Sequence, residues 1–347
     1  MHATGAPSLA GHIKIMRIDH WIKNLFVLPG LLVALTVDPK KAASQLIPDI
    51  LLGILAIGLV ASSNYVINEV LDARYDRENP IKRQRAVPAG HVNVPLAYLQ
   101  WVALMIGGVG LGTLVSLPFA ITMLALWLMG CVYNFEPIRS KDIPYVDVLT
   151  EALNNPLRML AGWFIVEPPV SLIPVSLLVS YWMIGAYFMA IKRLAEFRDL
   201  ENAGRAARYR RSFAFYSEPR LLNSIIFYAS AAMLFLGAFI MRYRLELVLS
   251  FPLVALVMSI YLGLAFKPQS AVQAPEKLYR EPLLMIAVIV CAAVMAILLF
   301  IDIPILYRIF KPTLPMAREI SKVERLRTPL TIDVGRNGGH EQMAPAI

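Results

Sequence analysis

The first candidate site is a row of polar side chains near the end of the second apolar segment. These side chains stand four residues apart, at Asn64, Asn68, Asp72 and Asp76. In a helix, this spacing stacks them along one slowly drifting face. Two carboxylates on one face repel each other unless a cation lies between them, and Mg²⁺ commonly joins such carboxylates to substrate phosphates. We therefore predict a Mg²⁺ site that includes Asn68, Asp72 and Asp76.

A basic run follows the acidic row directly. It reads Asn-Pro-Ile-Lys-Arg-Gln-Arg over residues 79–85. Lys and Arg donate charge-assisted hydrogen bonds to phosphate oxygens that a metal ion leaves uncovered. Together with the acids, Lys82, Arg83 and Arg85 predict a clamp for a diphosphate group. The alternative is a loop whose charges are solvated or paired, with the basic residues serving only membrane orientation.

A second polar group lies at the start of the fifth apolar segment. Asp147 and Glu151 stand four residues apart, and Arg158 follows seven residues after Glu151. Charged groups within an apolar segment are costly and usually face a cavity, a partner or an ion. We predict that this face completes the first site from the opposite side, and that Arg139 and Lys141 bind phosphate. The alternative is a buried pairing of Glu151 with Arg158 that serves packing alone.

The predicted site contains two sets of residues. The residues expected to act in catalysis and in metal binding are the same five, Asn68, Asp72, Asp76, Asp147 and Glu151. The residues expected to bind phosphate are cations from several parts of the chain: Lys23, Lys82, Arg83, Arg85, Arg139, Lys141, Arg158, Lys192 and Arg193. Three of these cations have another possible role. Lys192 and Arg193 can extend to lipid headgroups, and Lys23 beside Trp21 can anchor a helix at the membrane interface.

Long apolar segments must position these residues. The 347-residue chain is 58% hydrophobic and 16% charged, with a mean hydropathy of +0.60, values that a soluble domain does not normally show. A hydrocarbon core about 30 Å thick needs about 20 apolar residues per helix. We predict an all-α, polytopic membrane bundle of about nine helices. Their ranges are 21–37, 46–68, 94–114, 117–135, 146–165, 172–191, 222–241, 247–266 and 282–301.

Basic residues in the connecting loops predict the orientation. The loops after the second, fourth and sixth predicted helices are rich in Lys and Arg, so by the positive-inside rule they lie in the cytoplasm with the N-terminus. The candidate site then faces the cytoplasm, and a bacterial inner membrane is the expected location. Nine helices leave the C-terminus outside, which agrees poorly with the basic segment 307–327. An extra interfacial or re-entrant segment would reconcile the two.

Three parts of the chain differ in composition. We predict an N-terminal cytoplasmic or interfacial segment at 1–20, a membrane domain at 21–302 and a basic, partly disordered tail at 303–347. Cys131 and Cys291 lie within apolar segments, which indicates neither a disulfide framework nor a metal cluster. The first residues lack the features of a removable signal peptide. The net charge of +9 is spread over loops and tail, which argues against a nucleic-acid partner.

The sequence around the first site resembles a known family. Residues 68–76 read Asn-Glu-Val-Leu-Asp-Ala-Arg-Tyr-Asp, which resembles the first signature of the UbiA-type membrane prenyltransferases, with Glu69 in place of an Asp. Within that family, residues 21–24 and the run from Lys192 to Glu196 are most similar to the decaprenyl-phosphate phosphoribosyltransferase branch. The resemblance covers residues 14–302. It departs from the family pattern at 136–144 and at 147–151, where Asp-x-x-x-Glu replaces the second Asp-rich motif.

This resemblance implies a fold and an activity. Helices would surround a central cavity, both acidic groups would face each other beneath a cytoplasmic cap, and a lateral opening would admit a lipid chain. The activity would be a Mg²⁺-dependent transfer between a diphosphate-bearing donor and a polyprenyl lipid. In the leading hypothesis, phosphoribosyl diphosphate gives its 5-phosphoribosyl group to a polyprenyl phosphate. In the alternative, a polyprenyl diphosphate gives its prenyl chain to an aromatic or small polar acceptor, as in quinone biosynthesis.

Two other classes of membrane protein, a transporter and a scaffold without catalysis, are alternatives to a transferase. A transporter lines its substrate path with acids and bases, but the sequence shows no internal repeat and no pair of short broken helices in matching positions. A scaffold without catalysis gives no reason for acids in helical register. The oligomeric state and the chain length of the lipid stay open at this stage.

Overall fold

The computed structural model describes residues 5–37, 43–77, 82–200, 211–268 and 270–310. The chain divides into two compact units, Met1–Asp302 and Ile303–Ile347. In the second unit, the described residues form one short helix, Pro304–Ile309. The predicted disorder of the tail concerns residues beyond this helix, which lie outside the described part.

The described residues of the first unit fold as helices joined by turns and short 3₁₀ segments. In chain order the α-helices are Leu9–Ile15 (α1), Leu28–Val37 (α2), Ala43–Asp76 (α3), Val94–Val115 (α4), Leu117–Asn134 (α5), Val146–Ala152 (α6), Asn154–Val166 (α7), Val175–Arg198 (α8), Glu218–Tyr243 (α9), Phe251–Leu264 (α10) and Pro282–Leu298 (α11).

Seven segments of the described chain are long and apolar enough to cross a membrane. They are Leu9–Val37, Leu46–Asp76, Val94–Val115, Leu117–Asn134, Val175–Arg198, Glu218–Tyr243 and Leu245–Leu264, and the shorter Pro282–Leu298 is also apolar. The prediction of an all-α membrane bundle is therefore confirmed, and every predicted span is helical. The fifth is shorter than expected because it divides into α6 and α7. Pro156, in the first turn of α7, has no N–H to donate to the turn before it.

The first predicted helix begins differently from expectation. Residues Ile18–Val27 form a 3₁₀ segment, and regular α-helix starts only at Leu28. Trp21 fixes this segment to α3, because its indole Nε1 donates a hydrogen bond of 3.0 Å to Ser62 Oγ. The ring of Trp21 also packs on Gly58, where a Cβ would lie 2.8 Å from ring carbons.

Small residues let several helices approach closely, as is common in membrane bundles. A Cβ at Gly30 would lie 1.8 Å from the carbonyl oxygen of Met159, and one at Gly162 would lie 2.1 Å from that of Val27. Helices α2 and α7 therefore cross in direct backbone contact at these two glycines. Elsewhere α3 lies along α4, and α8 lies along α9.

Candidate active site

The length of α3 positions the first acidic group. The predicted span ended at Asn68, but the helix continues without interruption to Asp76. Asn68, Asp72 and Asp76 consequently occupy successive turns on the helical face that their spacing predicted.

Asp72 is shared by two cations from the loop after α5. Its Oδ1 accepts hydrogen bonds from Arg139 Nη2 at 2.8 Å and from Lys141 Nζ at 2.5 Å. Both cations are buried, whereas the Asp72 side chain keeps 19% of its surface exposed. The structure thus brings together one predicted metal ligand and two predicted phosphate-binding residues.

Asp76 and Asn68 extend this group in both directions along α3. Asp76 Oδ2 accepts a hydrogen bond of 2.7 Å from Arg85 Nη1, and Asp76 is only 4% exposed. Asn68 Nδ2 donates to Asn134 Oδ1 at 2.6 Å, and the same oxygen accepts from Lys141 Nζ at 2.8 Å. One hydrogen-bonded network thus joins Asp72 and Asn68 through Lys141 and Asn134, and the pair of Asp76 with Arg85 lies one turn further along α3.

The loop that supplies Arg139 is held in an unusual conformation. Arg139 has a φ of 34°, which lies in the left-handed region that non-glycine residues seldom adopt. Its Nε also donates to Asp142 Oδ2 at 2.9 Å. Burial alone would lower the pKa of Arg139, but the charges of Asp72 and Asp142 outweigh it and raise the pKa above its ordinary value. The guanidinium is therefore a permanent cation in this site.

Glu69 has a role that sequence reasoning missed. It is 3% exposed, and its two oxygens bind different parts of the chain. Oε2 accepts from Arg17 Nη2 at 3.1 Å, and Oε1 accepts from the backbone N–H of Val87 at 3.1 Å. Glu69 therefore ties the N-terminal segment and the end of the basic loop to α3. The replacement of the family's Asp by a longer side chain was the only signal for this contact.

The second acidic group is more deeply enclosed. Asp147 is fully buried, and its Oδ2 accepts from Arg193 Nε at 2.9 Å while its Oδ1 accepts from the Tyr216 hydroxyl at 2.6 Å. Arg193 Nη1 also donates to Glu196 Oε2 at 3.0 Å. Burial and the adjacent Asp147 carboxylate raise the pKa of Tyr216, so its hydroxyl stays protonated.

Glu151 connects the second group to the first. Its Oε2 accepts from the Tyr133 hydroxyl at 2.8 Å and lies 3.7 Å from Arg193 Nη2. The ammonium of Lys141 lies 5.8 Å from the centre of the Tyr133 ring. Tyr133, near the end of α5, thus lies between the two acidic groups. The Glu151 side chain keeps 35% of its surface exposed.

The remaining predicted phosphate-binding residues lie in varied surroundings. Lys82 is partly buried and Arg83 exposed, both on the 3₁₀ turn Lys82–Gln84. Lys23 and Lys192 are also partly buried. Arg158 is buried in α7 and donates to the carbonyl of Asn154 at 3.4 Å.

The oxygen donors of the first group suit a hard cation. Mg²⁺ typically takes one or two carboxylates and completes its shell with water and substrate phosphate, and Asn68, Asp72 and Asp76 offer that set. In the described chain, no three His, Cys, Asp or Glu side chains form a group that would hold a metal by themselves. Asp147 suits a metal less well, because Arg193 and Tyr216 occupy its oxygens. The metal-binding role of Asp147 and Glu151 stays a prediction.

The fold and the site together define an integral-membrane transferase. Its membrane-length helices hold paired acids and bases at the end of α3. The chain belongs to the UbiA prenyltransferase family, whose family profile matches residues 25–284. The resemblance noted at residues 68–76 is thereby confirmed.

Two relatives of this chain carry the same enzyme name. The chain is 29% identical over 201 residues to the decaprenyl-phosphate phosphoribosyltransferase of Mycobacterium tuberculosis, covering 58% of this chain and 64% of the relative. It is 32% identical over 216 residues to the enzyme of the same name from Corynebacterium glutamicum, covering 61% of each. The aligned region is less than two thirds of either relative.

A solved structure shares the fold. The UbiA homolog from Archaeoglobus fulgidus, determined with DMAPP and Mg²⁺, superimposes with a TM-score of 0.63 over 84% of this chain and 99% of its own. The two sequences are 18% identical. The bundle architecture is therefore common to both proteins.

Proposed function

We propose that this protein transfers a 5-phosphoribosyl group from phosphoribosyl diphosphate to a polyprenyl phosphate, with Mg²⁺. The observation that carries the proposal is the shared carboxylate of Asp72, which binds the two cations Arg139 and Lys141. A metal diphosphate consists of a cation and a group of anionic oxygens, so a site that contains both acids and bases can bind both parts. The acids bind the metal, and the cations that they release bind the phosphates. The two relatives named decaprenyl-phosphate phosphoribosyltransferase support this choice of substrates.

The donor's diphosphate is bound by residues at the end of α3 and in the two adjoining loops. Asn68, Asp72 and Asp76 would hold Mg²⁺, which neutralises charge on the diphosphate when it is bound. The cations that bind the phosphate oxygens come from both loops: Lys82, Arg83, Arg85, Arg139 and Lys141. Because Arg139 and Lys141 are buried, their hydrogen bonds to phosphate form in a poorly hydrated environment and are strong.

The reaction needs positioning and charge stabilisation. A phosphate oxygen of the lipid forms a bond to the anomeric carbon, while the bond from that carbon to the diphosphate oxygen breaks. The electron pair leaves with the diphosphate, and Arg139 and Lys141 stabilise the departing charge. The acceptor phosphate is already anionic, so no strong base is required. Glu151, which is partly exposed, binds a ribose hydroxyl in this proposal, and Asp147 holds Arg193 in place.

Orientation follows from the basic loops. The loops before α4 and before α6 supply the cations of the site, and both are basic segments that the positive-inside rule assigns to the cytoplasm. We propose that the site faces the cytoplasm from the inner membrane of a bacterium, where a water-soluble donor reaches it.

The test uses purified protein in lipid nanodiscs with Mg²⁺ and two pairs of substrates. One pair is phosphoribosyl diphosphate with a polyprenyl phosphate, and the other is a polyprenyl diphosphate with an aromatic acid. Diphosphate release and the mass of the lipid product are measured for both. We expect a phosphoribosylated lipid from the first pair. Release of diphosphate only from the prenyl donor would show that the lipid is the donor and overturn the proposal.

A further inference from the structure

The loop between α5 and α6 carries Arg139 and Lys141, and two of its residues have an unfavourable backbone conformation. Arg139 has a φ of 34°, and Tyr145, the last residue before α6, has a φ of 64°. Residues other than glycine seldom adopt such angles, and they keep them only where surrounding contacts hold the backbone in place. Arg139 is held by Asp72 and Asp142. The contacts of Tyr145 come from a different part of the chain.

Tyr216, 71 residues further along the chain, holds the backbone of Tyr145. Its hydroxyl accepts a hydrogen bond of 2.7 Å from the N–H of Tyr145 and donates one of 2.6 Å to Asp147 Oδ1. The ring of Tyr145 also packs edge-on against two rings, with its centre 5.5 Å from that of Tyr216 and 5.8 Å from that of Phe215. Tyr216 is 5% exposed, so water has little access to replace its hydroxyl. One buried hydroxyl therefore fixes the start of α6.

The segment that supplies Tyr216 is itself anchored to the bundle. We call this segment, residues 211–217, the strut. Within it, the buried ring of Phe213 has its centre 5.8 Å from that of Tyr216 and 6.4 Å from that of Phe197 on α8. At its end, Ser217 caps α9 by accepting a hydrogen bond from a backbone N–H in the first turn of that helix. The strut therefore connects α8 and α9 to the loop between α5 and α6.

The path from Tyr145 back to the cations is short and hydrogen-bonded. Lys141 precedes Tyr145 by four residues. Between them, the N–H of Ile143 donates to the carbonyl of Ser140 at 3.1 Å, and the carbonyl of Ile143 accepts from the N–H of Asp147 at 2.9 Å. A shift of the Tyr145 backbone is therefore transmitted to Lys141 and its neighbours, because few bonds between them are free to absorb it.

We propose that Tyr216 is a positioning residue of the diphosphate clamp. Its hydroxyl holds the backbone of Tyr145, and the loop in turn keeps Arg139 and Lys141 in the conformation that binds phosphate oxygens. This role rests on the proposed function, which assigns phosphate binding to those two cations. The alternative is that Tyr216 serves only the second acidic group, by holding Asp147. In that case the loop cations do not depend on it.

The test measures the Kd of inorganic diphosphate with Mg²⁺ by calorimetry, using the full-length protein in detergent. Diphosphate leaves from either candidate donor, so the measurement does not depend on which donor is correct. Tyr216→Phe removes only the hydroxyl. We expect the Kd to rise about three- to tenfold, which is the effect of losing one hydrogen bond. The rise is limited because Ser140 in the same loop keeps its contact of 2.9 Å with Thr150 Oγ1.

A second buried tyrosine provides the matched control. Tyr187 on α8 is 3% exposed, and its hydroxyl donates to the carbonyl of Met258 on α10 at 2.7 Å. Tyr187→Phe therefore removes the same group from a similar environment, and it should leave the Kd unchanged. Hydrogen exchange of the backbone amides between α5 and α6 is the second readout. It should become faster in Tyr216→Phe and stay at the wild-type rate in Tyr187→Phe.

A double-mutant comparison shows which group Tyr216 acts through. When Lys141→Gln has already removed one positioned cation, Tyr216→Phe should weaken diphosphate binding much less than it does in the wild type. Equal weakening in both backgrounds would assign the effect to Asp147 and overturn the proposal. So would a wild-type Kd in folded Tyr216→Phe protein, or unchanged hydrogen exchange of the loop.

A milder change keeps the proposal testable if Tyr216→Phe does not fold. Phe215 is 43% exposed and packs on the Tyr145 ring, so Phe215→Ala should raise the Kd by a smaller factor, and an unchanged Kd would count against the strut. The proposed function can fail separately. If diphosphate binds the wild type and binds Tyr216→Phe more weakly, but no phosphoribosylated lipid forms, the substrate assignment is wrong and the positioning role stands.

Discussion

The two acidic groups share a spacing and differ in their surroundings. Asp72 and Asp76 stand four residues apart, as do Asp147 and Glu151. Asp72 keeps 19% of its side chain exposed and binds cations from a loop, whereas Asp147 has no exposed surface and binds Arg193, itself 1% exposed on α8. The same spacing therefore gives a partly exposed carboxylate in one place and a fully buried one in the other.

The difference lies in what each carboxylate loses when its partner leaves. Removing a partner from a fully buried ion pair leaves an uncompensated charge and costs several kcal/mol. Arg193 would have to leave both Asp147 and Glu196. Lys141 leaving Asp72 keeps its contact with Asn134 Oδ1, and Arg139 keeps Asp142. A ligand therefore displaces the cations of the first group more easily.

The largest effect is expected in the second group. Asp147→Asn leaves Arg193 with fewer acidic partners in a buried position, and should destabilise the bundle by about 3–5 kcal/mol. Thermal unfolding in detergent, followed by fluorescence, measures this loss. Asp72→Asn is the matched control and should melt close to wild type. If both variants melt alike, the distinction between the groups is wrong.

The next effect is expected in the first group, on activity alone. Asp72→Asn keeps the shape of the side chain and removes the charge that would hold Mg²⁺, so turnover should fall about 100-fold or more. The assay is Mg²⁺-dependent release of diphosphate from the donor. Glu136→Gln, a change at an exposed carboxylate that pairs with Arg74, should retain activity. Near-normal turnover in the Asp72 variant would refute its role as a metal ligand.

A smaller effect, on the KM for the donor, is expected when Glu69 is changed. This change tests whether Glu69 positions the basic loop or acts on the reacting atoms. Glu69→Asp shortens the side chain, so it no longer reaches both Arg17 and the N–H of Val87, a loss of about 1–2 kcal/mol. We expect the KM for the diphosphate donor to rise about tenfold with kcat nearly unchanged, because the loop that carries Arg85 is no longer fixed. A fall in kcat at constant KM would instead place Glu69 among groups that act on the reacting atoms.

The smallest effect is expected for the exposed cation of the basic run. Arg83 is exposed, whereas Arg85 pairs with Asp76 at 2.7 Å. Arg83→Gln should raise the donor KM only about two- to threefold, since exposed ion pairs contribute about 0–1 kcal/mol. Arg85→Gln, measured in the same assay, should have the larger effect. The reverse order would show that the clamp is formed from a different part of the loop.

Local pattern predicted the first group better than the second. The register of Asn68, Asp72 and Asp76 depends only on helical spacing, and α3 preserves it. The partners of Asp147 lie 46 and 69 residues away in the chain, so no local pattern indicates them. The left-handed conformation of Arg139 also depends on contacts between loop and bundle. Seven of the nine predicted segments correspond to membrane-length helices of the described chain, because that length follows from the thickness of a bilayer. The fifth predicted segment divides into α6 and α7, and the ninth is a shorter helix.

Lys141 connects the carboxylate of Asp72 to the amide of Asn134. Its ammonium contacts Asp72 and Asn134 at the same time, so an anion that attracted it would leave Asp72 with Arg139 as its remaining cation in this loop. Under the proposed function, binding of Mg²⁺ and binding of the diphosphate would then be thermodynamically linked, and each would raise the affinity of the other by the same factor. Such reciprocity would favour joint arrival as a complex, with the free metal and the free anion each bound more weakly.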